Sequence, residues 1–323
     1  MWPGLKNLFI SSLLGFMAMA SAQTPDYPMK PIRILVGQGA GGGIDTLARI
    51  VAQRMSAQWG QPVVVENKTG AGGIIATESV ARAAPDGYTL LMAPIGNMVF
   101  TPILTPQLKY SPTADFTPIS MVATFPLVLV VNGKSKINTI PELVAAMKSQ
   151  PDKSNYGGSG PAFQFANELF KIKTGATGEF VQYKSMSETM TALLAGDLLM
   201  SMVDTGPATA HIASGQLRAL AVTSAQRLPS MPQIPTMAEL GFKDIEFRFW
   251  SGLFAPAGTS KDIVQKLEFE VNRILKQADV MAQMAAIQVT ATGSTSSDLA
   301  KWLAADLIKW TAVAESAHMK RRD

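Results

Sequence analysis

The chain has 323 residues, no cysteine, 18 methionines, 16% charged and 47% hydrophobic residues, and a formal charge of +4. It is long enough for a full core with room for two lobes and too apolar to be disordered; without cysteine there is no disulfide scaffold, thiolate zinc site, iron–sulfur cluster or cysteine nucleophile. His211 and His318 are the only imidazoles, so no metal or cofactor is expected. The one tight basic cluster, Lys320-Arg321-Arg322, reads as a solvated tail, so no nucleic-acid partner is expected either.

The first segment reads as an export signal. A single lysine, Lys6, precedes an apolar run over 8–19, and Ala20-Ser21-Ala22 supplies the small-residue pattern of a cleavage site. Cleavage after Ala22 and a periplasmic protein are the expectation. The apolar run is too short to span a membrane.

Beyond it, strands and helices alternate. Ile32 to Val36 is a short apolar run ending in glycines, as a buried strand would be. A helix is predicted over 46–58, with Gly60 ending it and Val63 to Val65 forming the next strand. Gly70 to Gly73 open a helix over 74–83, and 88–93 is a strand. Leu127 to Val131 follows a Pro-rich stretch and reads as a central strand, and Thr139 and Glu142 form a capping signature. After Tyr156 and a second glycine-rich turn comes a helix over 163–173. Further β/α units run through 179–182, 187–195, 199–203, 207–214 and 219–222. A Pro-rich connection (228–235) leads to two strong helices, one over 261–277 behind Thr259 and one starting near Ser297. The alternation predicts an α/β class with mostly parallel sheets.

The glycine-rich turns carry the functional signal, because each leaves a strand and enters a helix. Unpaired amides and a partial positive charge at a helix start favour an anion, and glycine lets the backbone approach it. Ligands of open α/β sheets sit at these strand ends. Gln38, Gly39, Ala40, Gly41, Gly42, Gly43, Asp45 and Thr46 are therefore candidates from the first turn. Gly158, Ser159, Gly160 and Ala162 are candidates from the second, and Asp204, at the end of 199–203, is another. Asp45 reads equally as a cap or a ligand contact, and Asp204 equally as a cap of the following helix. His211 reads as a packing residue, and core packing is the default for Trp250.

A second reading uses the same residues. Gly37, Gly39 and Gly42 satisfy G-x-G-x-x-G, and Glu66 ends the next strand where a dinucleotide enzyme places its ribose-binding acid. An NAD-dependent oxidoreductase is therefore the alternative, although export counts against a cytosolic cofactor.

Several segments together resemble the Bug family, periplasmic receptors of tripartite tricarboxylate transporters. They are Tyr27-Pro28-x-Lys30-Pro31-Ile32-Arg33, Gly41-Gly42-Gly43-x-Asp45, Gln61-Pro62-Val63-Val64-Val65-Glu66-Asn67 and Gly70-Ala71-Gly72-Gly73. Ala84-Pro85-Asp86-Gly87-Tyr88-Thr89-Leu90, the stretch from Gly215 to Ser224 and Ala255-Pro256-Ala257-Gly258-Thr259 continue it. The resemblance implies a two-lobe clamshell of the periplasmic-binding-protein kind (type II-like) that closes on a small organic carboxylate. It also implies that loops 37–46 and 156–162 act as pincers, and that a membrane permease is the downstream partner. The expected division is 23–124 plus 224–323 for one lobe and 125–223 for the other, with hinge strands near 125–131 and 217–223. A monomer without enzymatic chemistry is expected. This chain departs from the family pattern at Gly37-Gln38, at the compact apolar segment Pro161-Ala162-Phe163-Gln164-Phe165, and at Ser185-Met186. Phe163 and Phe165 read either as neighbours of an apolar ligand moiety or as packing beneath the helix.

Overall fold

A computed structural model of the chain describes residues 27–321, so the expected leader and its expected cleavage after Ala22 lie outside the described residues. The first half-unit follows from hydrophobic pattern alone. Strand β1 (Ile32–Val36) is buried at four of five positions. The next element, α1 (Gly43–Trp59), buries Leu47, Val51 and Met55 from one face and stops at Gly60, whose left-handed φ of 63° lets its N–H reach Ser56 O. Strand β2 (Val63–Asn67), helix α2 (Ile74–Ala81) and strand β3 (Thr89–Pro94) repeat the unit. Helical crossovers make β1 parallel to both β2 and β3.

After β3 the chain winds a π-helical turn (Gly96–Phe100) into the short α3 (Thr101–Leu104), then enters β4 (Phe116–Phe125). Only Pro126 separates β4 from β5 (Leu127–Asn132), yet the two strands belong to different sheets. Helix α4 (Ile140–Ser149) is capped by Thr139, which accepts the Glu142 N–H; the Glu142 carboxylate reaches back one residue further, to the Asn138 N–H. The chain continues through β6 (Tyr156–Ser159), α5 (Pro161–Thr174), β7 (Phe180–Tyr183), α6 (Met186–Ala195), β8 (Met200–Asp204), α7 (Thr205–Ala213) and β9 (Leu217–Val222). It closes with β10 (Phe249–Pro256), α8 (Lys261–Leu275), α9 (Ala278–Ala286), the two-residue β11 (Thr290–Ala291) and α10 (Ser296–Ser316).

The first sheet has the order β11-β4-β10-β3-β1-β2 and the second β7-β6-β8-β5-β9. Both are mixed rather than mostly parallel. β10 runs antiparallel to β3 and β4, and β5 antiparallel to β8 and β9. The strands that break the parallel rule are those flanking the passages between sheets, where the chain arrives without a helical crossover. At the passage the two crossings are tied together. Leu127 N–H donates to Thr223 Oγ1 (3.0 Å), Thr223 N–H to Leu127 O (2.9 Å), and Phe247 N–H to Thr223 O (3.0 Å). The segment between, from Leu228 to Ile234, packs on the second sheet's core, and Met237 N–H bonds Val222 O.

Sequence reasoning missed β4, β10 and α9. Pro118 discourages a strand reading of β4; it sits where the β4–β10 register slips by one residue, a place that tolerates a missing donor. Helix α8 is capped by Ser260 rather than Thr259, and α10 by Thr295.

Three cores result. One lies between the first sheet and α1, α8 and α9; a second holds Val128, Val130, Leu193 and Val222. The third joins the two sheets through aromatic rings. Phe100, at the end of the π turn, stacks on Phe165 of α5 with centroids 4.6 Å apart. Trp310 of α10 meets both edge-on, at 5.2 and 5.9 Å, and Phe163 packs against Phe249 at 5.7 Å. Phe165 is fully buried, so it packs beneath its helix rather than facing a ligand. Phe165→Ala should cost about 3–5 kcal/mol of stability. In urea unfolding this would appear as a lowered midpoint with an unchanged slope.

Candidate functional site

Three strand ends converge on one cavity of about 430 Å³. Gln38 follows β1, Pro94 ends β3 and Ser159 ends β6, so the cavity lies at the carboxyl ends of strands from both sheets. A groove of similar size, about 460 Å³, runs between α5 and α10 past Lys173 and Lys309, but no glycine turn reaches it.

Two helices meet the cavity end-on. Helix α5 contributes only its first residues, Pro161 and Ala162, and α2 only Ile74. Gly160, at φ 81°, turns β6 into α5 without a capping side chain, and Pro161 occupies the first helical position, where its missing N–H costs nothing. The first bond into the helix is a long one, Gln164 N–H to Gly160 O at 3.4 Å, and the amides of Ala162 and Phe163 have no acceptor among the described residues. These are the orphan donors of a helix start, left uncapped beside a cavity.

The turn before α2 is held open by backbone conformation. Ala71, Gly72 and Gly73 all have positive φ, at 47°, 66° and 95°, which is costly for the alanine. Gly73 has no room for a side chain, because a Cβ would lie 2.8 Å from Asn97 Nδ2. Gly37 is needed for a related reason: its Cβ would stand 2.5 Å from Gly73 Cα, so the turns after β1 and before α2 pack backbone to backbone. Asn97 pins the arrangement by donating Nδ2–H to Gly72 O (2.8 Å), while Tyr110 OH bonds Asn97 O (2.6 Å). Asn97, Thr101, Leu104 and Thr105 line the cavity at spacings of four, seven and eight, so this helical stretch lies side-on along the wall.

Of the residues predicted from sequence, Gln38, Ser159, Gly160 and Ala162 line the cavity. Gly39, Ala40 and Gly41 form an exposed turn beside it. Gly42 occupies the N-cap of α1, Gly43 is its first residue, and Thr46 donates its N–H to Gly42 O. Gly158 lies inside β6, buried, where a Cβ would stand 2.5 Å from Phe163 Cβ. The second glycine-rich turn is thus a strand end plus the single Gly160. The lining residues that sequence reasoning did not single out are Ala71, Gly72, Ile74, Pro94, Gly96, Asn97, Thr101, Leu104 and Thr105. The signal that could have found them is the strand-end rule applied to Pro94 and Gly96 after β3.

Asp45 and Asp204 separate clearly. Asp45 is 1% exposed and accepts from Gly41 N–H (2.8 Å), Arg49 Nε (2.9 Å) and Asn67 Nδ2 (2.8 Å). It is neither a cap of α1 nor a lining residue; it anchors the turn through Gly41. Burial opposes its ionisation, but the hydrogen bonds from Arg49, Gly41 and Asn67 outweigh burial and hold it down at about 2. Asp204 stands at the N-cap of α7 without a capping hydrogen bond, outside the cavity, and burial pushes its carboxyl up to about 6. Trp250 is core, its Nε1–H on Asp306 Oδ2 at 2.7 Å, and His211 Nδ1 pairs with Gln216 Oε1 at 2.7 Å. Glu66, the acid of the dinucleotide reading, is held in a two-pronged ion pair by Arg33 at 2.6 and 2.7 Å.

Opposite pH dependences follow from the two aspartates. The depressed Asp45 adds stability above pH 4 that is lost as pH falls towards 2. Asp45→Asn should therefore cost about 1–2 kcal/mol at pH 7 and nothing near pH 2. The raised Asp204 destabilises the folded chain as pH climbs from about 4 to 6. Asp204→Asn should gain about 2 kcal/mol at pH 8 and nothing at pH 4, read from unfolding midpoints across that range.

Comparison with known proteins agrees with this architecture. Residues 47–319 match the model of the tripartite tricarboxylate transporter family receptor. Protein BugT of Bordetella pertussis is 34% identical over 317 residues, covering 97% of this chain and 96% of BugT. An R. palustris protein solved with adipate superposes with a TM-score of 0.77 at 29% identity, over 91% of this chain and 99% of that one. MatC from Rhodopseudomonas palustris, solved with bound malate, gives 0.74 at 28% identity, over 89% and 99%. These likenesses support a two-lobe solute receptor and leave the oxidoreductase alternative, whose Gly37 and Glu66 have structural partners, without support. A chain matched over most of its length by this family model, and over nearly all of it by a Bug protein, belongs to the tripartite tricarboxylate transporter receptor family.

Proposed function

We propose that the chain is a periplasmic receptor that holds a small organic carboxylate in the cavity between its lobes, converts nothing, and presents the closed complex to a membrane permease. One observation carries the reading. The cavity faces the uncapped start of α5, whose Ala162 and Phe163 amides have no acceptor among the described residues, an arrangement that suits an anion without needing a cationic side chain. The adipate and malate held by the two structural neighbours support a carboxylate. Micromolar affinity, about −8 kcal/mol, fits a site of this kind.

In this reading the lobes divide near Phe125 and Thr223, residues 228–240 travel with the second lobe, and closure pivots on the crossings tied through Thr223. The turn at 38–43 and the β6–α5 junction act as the two jaws, and Gln38, Ser159, Gly160 and Ala162 touch the ligand. Transfer to a permease follows from the family role, and a single chain suffices to form the cavity.

Ala162→Asp tests the reading without threatening the fold, because an acidic residue in the first helical turn is favourable. Thermal shift of the parent protein with a panel of carboxylates should reveal at least one stabilising ligand, by about 2.7 kcal/mol at 100 times its dissociation constant. The variant should retain its melting temperature and lose that ligand by tenfold or more. Unchanged affinity would remove the α5 start from the site, and stabilisation by NAD instead of carboxylates would overturn the receptor reading.

A further inference from the structure

Helix α10 turns its inner face to the core, but its outer face has no partner among the described residues. Leu299, Leu303, Trp310 and Val313 are buried, while Ser297, Lys301, Ala304, Ile308, Ala312 and Glu315 are exposed. At about 100° per residue, those six fall within roughly 40° of one line along the helix. Ile308 stands near its centre and is 75% exposed, more than any other large hydrophobic among the described residues. A lone exposed isoleucine asks for no explanation. What singles this one out is the order of residues around it.

That order is self-complementary. Four positions before and after Ile308 lie Ala304 and Ala312, which leave room beside it, and seven positions before and after lie Lys301 and Glu315. Let a second copy of α10 lie antiparallel on the first, with a two-fold axis through Ile308. Lys301 of each copy then faces Glu315 of the other, and each such pair stands about 10 Å from the axis. Ala304 meets Ala312, so the backbones can approach around the two isoleucines. A parallel copy would instead set Lys301 on Lys301 and Glu315 on Glu315. Both charges are available, since Lys301 has only Asp298 of its own helix, at 3.7 Å, and Glu315 has no ion-pair partner among the described residues. At the edge of the face, Ala312 and Ser316 border the groove shared with α5, where Ile172, 38% exposed, widens the apolar area.

We propose that this face of α10 is a homodimerisation surface, on which a second copy of the chain packs antiparallel about Ile308. The interface is isologous, the commonest symmetry of soluble oligomers. One helix face is smaller than the roughly 800 Å² per partner of a standard interface, so the pair forms and parts with concentration. No residue of α10 lines the cavity, so the pairing is independent of the receptor reading.

Sedimentation velocity of the purified protein over a concentration series should show a reversible monomer–dimer equilibrium. Ile308→Glu should weaken it about tenfold or more. Lys301→Glu brings acid against acid at both ends and Glu315→Lys brings base against base, so each variant alone should lose about fivefold or more. Mixed in equal amounts, the two should pair with each other at the parent affinity, because each end then holds one acid and one base. Adding Ile308→Glu to both should abolish that pairing. All three positions are exposed, so far-UV circular dichroism and melting temperature should match the parent. Three results would each overturn the proposal: a parent still monomeric at about 1 mM, the weak end of measurable affinity; a dimer indifferent to Ile308→Glu; or a mixture that pairs no better than its components.

Discussion

The stack of Phe100 on Phe165 is the contact on which the cavity depends. Phe100 ends the turn that carries Gly96 and Asn97, and Phe165 lies one helical turn below Pro161 and Ala162. The two rings therefore join the wall carried by the first sheet to the wall carried by the second, with Trp310 packed edge-on against both. Pulling the walls apart would expose two large side chains, at roughly 2–3 kcal/mol each.

Around that scaffold the site is built almost wholly from main chain. Charged residues act one layer back, as Asp45 does: buried, kept ionised by Arg49 and Asn67, and bonded to Gly41 N–H rather than to anything in the cavity. The glycines divide in the same way. Gly37 and Gly73 are present because two backbones pass too closely for a side chain, whereas Gly160 supplies the left-handed turn that leaves the α5 amides facing the cavity. A sequence rich in glycine at strand ends thus encodes proximity at one position and donor geometry at another.

Most of the class and the chain order of the elements was readable from hydrophobic period and punctuation, because β1 is a short apolar run ended by glycines and α1 buries one face at helical spacing. The exceptions share a physical cause. β4 and β10 are defined by pairing across more than a hundred residues, and Pro118 is tolerated only because a register slip removes the need for its donor. The candidate site was legible only in its smaller part. Ser159, Gly160 and Ala162 followed from the rule for strand-to-helix turns. Asn97, Thr101 and Leu104 did not, since their facing the cavity depends on a π-helical turn whose extra residue shifts the face of the helix. Asp45 stood out as a carboxylate beside glycines, but only the positions of Arg49 and Asn67 decide that it serves the turn.

Helix α10 comes last in the chain, yet Leu299, Leu303, Trp310 and Val313 complete the core shared by both sheets. Until those final residues exist, Phe100 and Phe165 lack their lid and the junction of the lobes stays open to water. A nascent polypeptide lacking its last thirty or so residues is thus held short of the native state by its own order of synthesis. That order places completion of folding after α10 has emerged.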